Sequence, residues 1–250
     1  MVHSRWLDAR ERARLHDLVV LFVAEKRWEG CGGLELSDEI RVTIAAHACL
    51  LILGLPHDLY RNVQSILVYP STVVVPPRRL GSFEIPSAPV EGPLPIYGQA
   101  LRGGPVVLVW DEVRRSGRHP EGGHNVVYHE FAHKLDMLDG RSDGTPPLHD
   151  RAEIRRWTEV CSREFLSLRG RAERGQPSFL DVYGATSEAE FFAVATEQFF
   201  DEPLGLRRLH PELYGVLRAF YRQDPAARLE RAASSNRGVD SRRRGEGGPG

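Results

Sequence analysis

Two histidines four residues apart, His129 and His133, bracket a glutamate at position 130. On an α-helix of about 100° per residue, positions i and i+4 lie roughly 40° apart on one face, so two imidazoles can converge on a single ion. Glu130 stands one residue round from His129, near enough to hydrogen-bond a water on that ion without ligating it. The spacing is that of a zinc hydrolase. Zn2+ acidifies the water and polarises a carbonyl, while the glutamate takes the proton and later hands it to the leaving amine. A surface helix that carries two histidines by chance is the alternative. Against it, Val126, Val127, Tyr128, Phe131, Ala132, Leu135 and Met137 make the segment apolar over most of its circumference. Polar groups on a buried helix need a compensating partner, and a metal supplies one.

A third protein ligand is required. The extended pattern of metzincin-like proteases is half matched, with Asp136 where that pattern has glycine and Asp139 in the ligand slot. Without the glycine the chain does not turn easily there, so Asp139 is the runner-up. Asp136 shares the face of His129 and His133 one turn on, which suits an acceptor that orients an imidazole or caps the helix end. The better source is downstream, in Tyr183-Gly-Ala-Thr-Ser-Glu-Ala-Glu190 and on to Glu197. Glu190 and Glu197 fall on one helical face but about 10 Å apart along the axis, so one ion cannot take both. Ser187 and Glu190 also form a capping-box pattern, a purely local device. Spacing alone favours Glu190 over Glu197 without excluding either.

The elements that must position these groups follow from periodicity and punctuation. Apolar residues recur at helical spacing from Trp6 to Trp28 until Gly30, Gly32 and Gly33 end the pattern, and a second helix starts after Ser37 or Asp38 and stops at Gly54-Leu55-Pro56. Ser65 to Val75 reads as two short strands or a bent one, Pro76 to Pro105 as an extended proline- and glycine-rich loop, and Pro105 to Trp110 as another strand. That last strand, Val106 to Trp110, is placed to border the cleft and pair with the backbone of an extended peptide. An interior strand with both edges occupied is the alternative. A helix over Asn125 to about Leu138 carries the histidines. Further helices are expected over Asp150 to Leu168, Ser187 to Phe200 and Pro211 to about Tyr221, and a polar tail from Ala232 reads as disordered.

The order of elements predicts an α+β fold with a small mixed sheet, divided into an N-terminal helical lobe (1–60), a catalytic core (61–231) and the tail (232–250). Lys plus Arg number 33 against 34 Asp plus Glu, a net charge of −1, so neither nucleic acid nor an anionic membrane is an expected partner. The longest apolar runs fall far short of a membrane span. Cys31, Cys49 and Cys161 form no CxxC pair, which argues against disulfides or a cysteine-bound zinc and for a cytoplasmic home. His47, His57 and His124 have no assigned role.

His129-Glu-Phe-Ala-His-Lys-Leu-Asp136 together with Tyr183-Gly-Ala-Thr-Ser-Glu-Ala-Glu-Phe-Phe-Ala-Val194 closely resembles the Mlc titration factor A family of bacterial zinc peptidases. More distantly, both blocks resemble the catalytic domain of anthrax lethal factor. The likeness extends to Gly104 through Val113 and loosely over Leu18 to Tyr221. It implies a zincin-like core of gluzincin-like design, with His129, His133 and Glu190 as zinc ligands, Glu130 as base and Tyr183 as a hydroxyl beside the metal. It also implies a monomeric aminopeptidase acting on peptides or proteins, with a Mlc-type repressor of sugar uptake as a partner. A regulator-binding module with a structural or vestigial zinc is the competing class.

Overall fold

The computed structural model of the chain describes residues 2–71, 73–75, 94–96, 98–100, 104–118 and 123–234. After a single 3-10 turn at Val2–Trp6, helix α1 (Ala9–Glu25) begins at Asp8, whose carboxylate caps Glu11 N–H while the Glu11 side chain returns the bond. The sequence pattern carried this helix on to Trp28. Instead Arg27–Gly30 forms strand β1, because those four residues find a parallel partner in β2 (Ser65–Tyr69), pairing Arg27 with Ser65 through Gly30 with Val68. Helix α2 (Asp38–Leu51), capped by Ser37, is buried on all sides in its second half, as its composition indicated.

Strands β3 (Val73–Val75) and β4 (Leu94–Ile96) pair antiparallel as a separate ribbon. The main sheet has four strands in the order β1, β2, β6 (Val106–Val109), β5 (Gly98–Ala100). The first three run parallel and β5 is antiparallel to β6. Two strands therefore lie where an extended loop was expected, and the rest of Pro76 to Pro105, residues 76–93, 97 and 101–103, falls outside the described residues. β6 is interior: Leu108 pairs with Val68 on one side and Gly98 on the other, and all four of its residues are buried. It has no free edge to offer a peptide, which corrects the expectation that it borders the cleft.

The chain leaves β6 directly into helix α3 (Trp110–Arg118), so Trp110 is helical and not the end of the strand. Asp111 and Glu112 in its first turn pair with Arg114 and Arg115 three residues on. Helix α4 (Val126–Asp136) carries the histidines. It is followed by α5 (Arg151–Glu173), α6 (Glu188–Asp201), α7 (Pro203–Leu209), which the pattern missed, and α8 (Pro211–Tyr221). Residues 225–234 are also helical, and 235–250 lie outside the described residues. One hydrophobic core runs from Leu7 to Ala226 and takes in residues of both expected lobes. At its centre α4 packs on α6, and α2 and β5 also pack against α4. No helix among the described residues is long and apolar enough to cross a membrane.

Candidate metal centre

The site is built where α4 meets α6. Asn125 caps α4, its side chain accepting Tyr128 N–H at 3.2 Å, and the helix is apolar enough that Val127, Tyr128, Phe131, Ala132 and Leu135 are all fully buried. The same burial forces His129, Glu130 and His133 into the seam with α6. Ser187 caps α6, accepting Glu190 N–H, so one half of the capping box read from the sequence is formed, and the Glu190 side chain does not complete it. That leaves the Glu190 carboxylate free to point across the seam.

There, His129 Nε2 lies 2.9 Å from Glu190 Oε2 and 3.2 Å from His133 Nε2, and His133 Nε2 lies 3.3 Å from the same Glu190 oxygen. The three ligand atoms are within 4.8 Å of one another, and among the described residues no other group of three His, Cys, Asp or Glu side chains is so placed. The chemistry of this donor set fits a metal. Two imidazole nitrogens and a carboxylate oxygen directed into one space are lone-pair donors, and only a cation or protons can reconcile them. Without a metal, protons do so. Burial disfavours charge on His129, but its bonds to Glu190 and Glu197 outweigh that and raise it to about 10. Burial alone would push Glu190 up, yet the bonds from His129 and His133 hold it at about 2.

Glu197 does not join the ligand group. Its carboxylate sits behind His129, Oε1 at 2.7 Å from His129 Nδ1, while Oε2 accepts Asn125 N–H at 2.6 Å. One buried acid thus holds both the Nδ1 side of the His129 imidazole and the N-terminus of the helix that carries it. Asp139 is not brought to the cluster either. It lies exposed in the 3-10 turn after α4 and accepts Arg141 N–H at 2.8 Å. Asp136 is fully buried and accepts Gly144 N–H at 3.1 Å, which ties the following loop to α4. Its other oxygen, like His133 Nδ1 three residues earlier, has no hydrogen-bond partner among the described residues.

Glu130 is 4 % exposed, with Oε2 buried and without a hydrogen-bond partner among the described residues. Burial lifts its carboxyl to about 7 against the opposing pull of His129 and His133, the range in which a carboxylate both takes and returns a proton near neutrality. Tyr183, in the 3-10 turn Val182–Ala185, is half exposed, with its ring 6.0 Å from that of His129. Burial, then the charges of Glu190 and Glu130, raise its pKa and keep it a donor. Lys134 escaped the sequence reading. It is a buried cation one turn after Glu130, and its ammonium donates to Gly104 carbonyl at 2.9 Å, pinning the approach to β6 against α4. A lysine inside an otherwise apolar helix face was the available signal.

A buried helix offering two histidines, an acid from a neighbouring helix and an adjacent glutamate define a metallopeptidase-like protein. The family described as glucose-regulated metallo-peptidase M90 matches residues 1–222, and the chain belongs to it. Among its relatives, an uncharacterized protein of Synechocystis is 37 % identical over 219 residues, covering 88 % of this chain and 79 % of the relative. Mlc titration factor A of Serratia proteamaculans is 34 % identical over 92 % of this chain and 87 % of its own length. The same-named protein of Salmonella typhimurium is 33 % identical over 91 % and 85 % respectively.

Proposed function

We propose that the chain is a zinc-dependent peptidase with a zincin-like, gluzincin-type site, acting as an aminopeptidase on peptides or proteins. The observation that carries this is the convergence of His129, His133 and Glu190 on one point with the buried Glu130 alongside. A bound zinc would acidify a water and polarise the scissile carbonyl. Glu130 Oε2, which has no hydrogen-bond partner among the described residues, takes the proton of the attacking water and delivers it to the leaving amine. The Tyr183 hydroxyl donates to the carbonyl oxygen as that oxygen gains negative charge. Glu197 keeps His129 Nδ1 protonated, so that Nε2 presents its lone pair to the metal. Among the described residues the edge strand beside α4 is β5, and an extended substrate adds its backbone there, with little demand on side-chain identity. The three unpaired thiols suit the reducing cytoplasm.

A second reading is favoured by the name Mlc titration factor A carried by the relatives: the protein binds a repressor of the Mlc type, with hydrolysis as a separate or lost property. Glu130→Gln distinguishes the two. It should abolish peptide hydrolysis while zinc content and any repressor binding persist; hydrolysis that survives removes Glu130 as the base. An unsubstituted, zinc-loaded protein that binds repressor and hydrolyses no peptide favours the second reading.

A further inference from the structure

His124 takes no part in the chemistry proposed above, and its side chain is 68 % exposed, so packing does not account for its placement. It immediately precedes Asn125, the N-cap of α4. Its Nε2 lies 3.0 Å from Asp181 Oδ2, and its Nδ1 faces Glu197 Oε2 at 3.9 Å. Asp181 opens the turn that holds Tyr183, and its other oxygen, Oδ1, accepts Tyr183 N–H at 2.7 Å. One imidazole therefore links the start of the metal-site helix to the turn that presents the tyrosine.

That turn needs such a link. Val182 and Tyr183 are both at least half exposed, so little apolar burial holds them. Its firm anchor is Gly184, buried so tightly that a Cβ there would meet Val194 at 3.2 Å and Leu168 at 3.3 Å. Thr186 Oγ1 also donates to Tyr183 carbonyl at 2.7 Å, so the backbone of the turn is held at Gly184 and Thr186, and Asp181 adds the tie that runs toward α4. An exposed ion pair contributes little to stability, so removing one leaves the fold standing. A hydrogen-bond donor displaced by a fraction of an ångström, by contrast, loses much of its effect on a reacting oxygen.

The geometry assigns His124, acting through Asp181, as the positioning residue for the Tyr183 hydroxyl. In catalytic terms this rests on the role proposed above for Tyr183. The positioning itself is read independently by 3-fluorotyrosine at position 183 in the full zinc-loaded chain, whose 19F line reports the ring whether or not peptide is cleaved. The line should be single and narrow, and should broaden or shift both in His124→Ala and in Asp181→Asn. In kinetics, His124→Ala should lower kcat about tenfold with KM and zinc content unchanged, and should have no further effect in a Tyr183→Phe background. A 19F line indifferent to both substitutions overturns the assignment, as do independent, multiplying losses in the double variant. If the unsubstituted chain cleaves no peptide, the peptidase reading falls and the 19F line alone decides the positioning.

Discussion

Replacing Glu197 by alanine separates a residue that holds a ligand from one that is a ligand. Glu197 is 4 % exposed and both of its oxygens are engaged, one by His129 Nδ1 at 2.7 Å and one by Asn125 N–H at 2.6 Å. Alanine leaves two buried donors without acceptors, at a cost of roughly 1 to 3 kcal/mol each, so the metal-free fold should lose about 2 to 6 kcal/mol. His129 keeps its place on α4 but loses the carboxylate that fixes its tautomer. Outer partners of this kind are worth about 10- to 100-fold in metal affinity, or about 1.4 to 2.7 kcal/mol. Zinc should still bind stoichiometrically at saturation, because His129, His133 and Glu190 remain. Competition against a chromogenic chelator measures the affinity, and thermal unfolding of the metal-free protein measures the stability. Glu190→Ala should lose far more affinity and Asp139→Ala none. An unchanged zinc Kd in Glu197→Ala, or a loss as complete as that of Glu190→Ala, would refute the assignment of Glu197 behind His129.

Metal-stripped protein should show a stability plateau with two different edges. His129 is raised to about 10, so its contribution is full below its ordinary value near 6.5 and fades as pH rises through about 10. Glu190 is held at about 2, so its contribution is full above about 4.5 and fades as pH falls through about 2. Melting temperature against pH, with and without chelator, shows whether these edges exist. Gly144→Ala should cost about 2 to 4 kcal/mol, since φ is +73° and the new Cβ would sit 2.3 Å from Glu188 carbonyl oxygen; zinc affinity should fall with it, Glu188 being two residues before Glu190. Chemical denaturation and zinc titration of the same sample test that pairing, and loss of neither speaks against the close approach. Leu108→Pro should lower the melting temperature by about 10 °C or prevent folding, because β6 is bonded on both edges. A raised KM in a variant that melts normally would restore the strand to the substrate.

The histidines and Glu130 were legible because their information is local: an i, i+4 spacing on an apolar helix already says which face they share. Ser187 was legible as a cap for the same reason. Glu190 and Glu197 were harder, since two turns of one helix place both acids on the face toward α4. Their difference lies in which imidazole nitrogen each meets, and that depends on how two helices cross. Pairing across the sheet was the least legible feature. Arg27–Gly30 continues a helical pattern until β2 claims it, and Gly98–Ala100 is a strand amid prolines and glycines only because β6 lies beside it. The same missing information made β6 look like an edge, since nothing in Val106–Val109 tells how many neighbours it has. Trp110 begins a helix because Asp111 and Glu112 serve a first turn, a signal present in the sequence but masked by the apolar run before it.

The central claim is that a zinc ion sits where α4 meets α6, and anomalous diffraction at the zinc edge from crystals of the zinc-loaded protein tests it most directly. One peak should appear at roughly 2.0 to 2.2 Å from His129 Nε2, His133 Nε2 and a Glu190 oxygen, with Glu197 bonded to His129 and not to the metal. A peak coordinated by Glu197 or Asp139 in place of Glu190, or no peak between the two histidines, would contradict it.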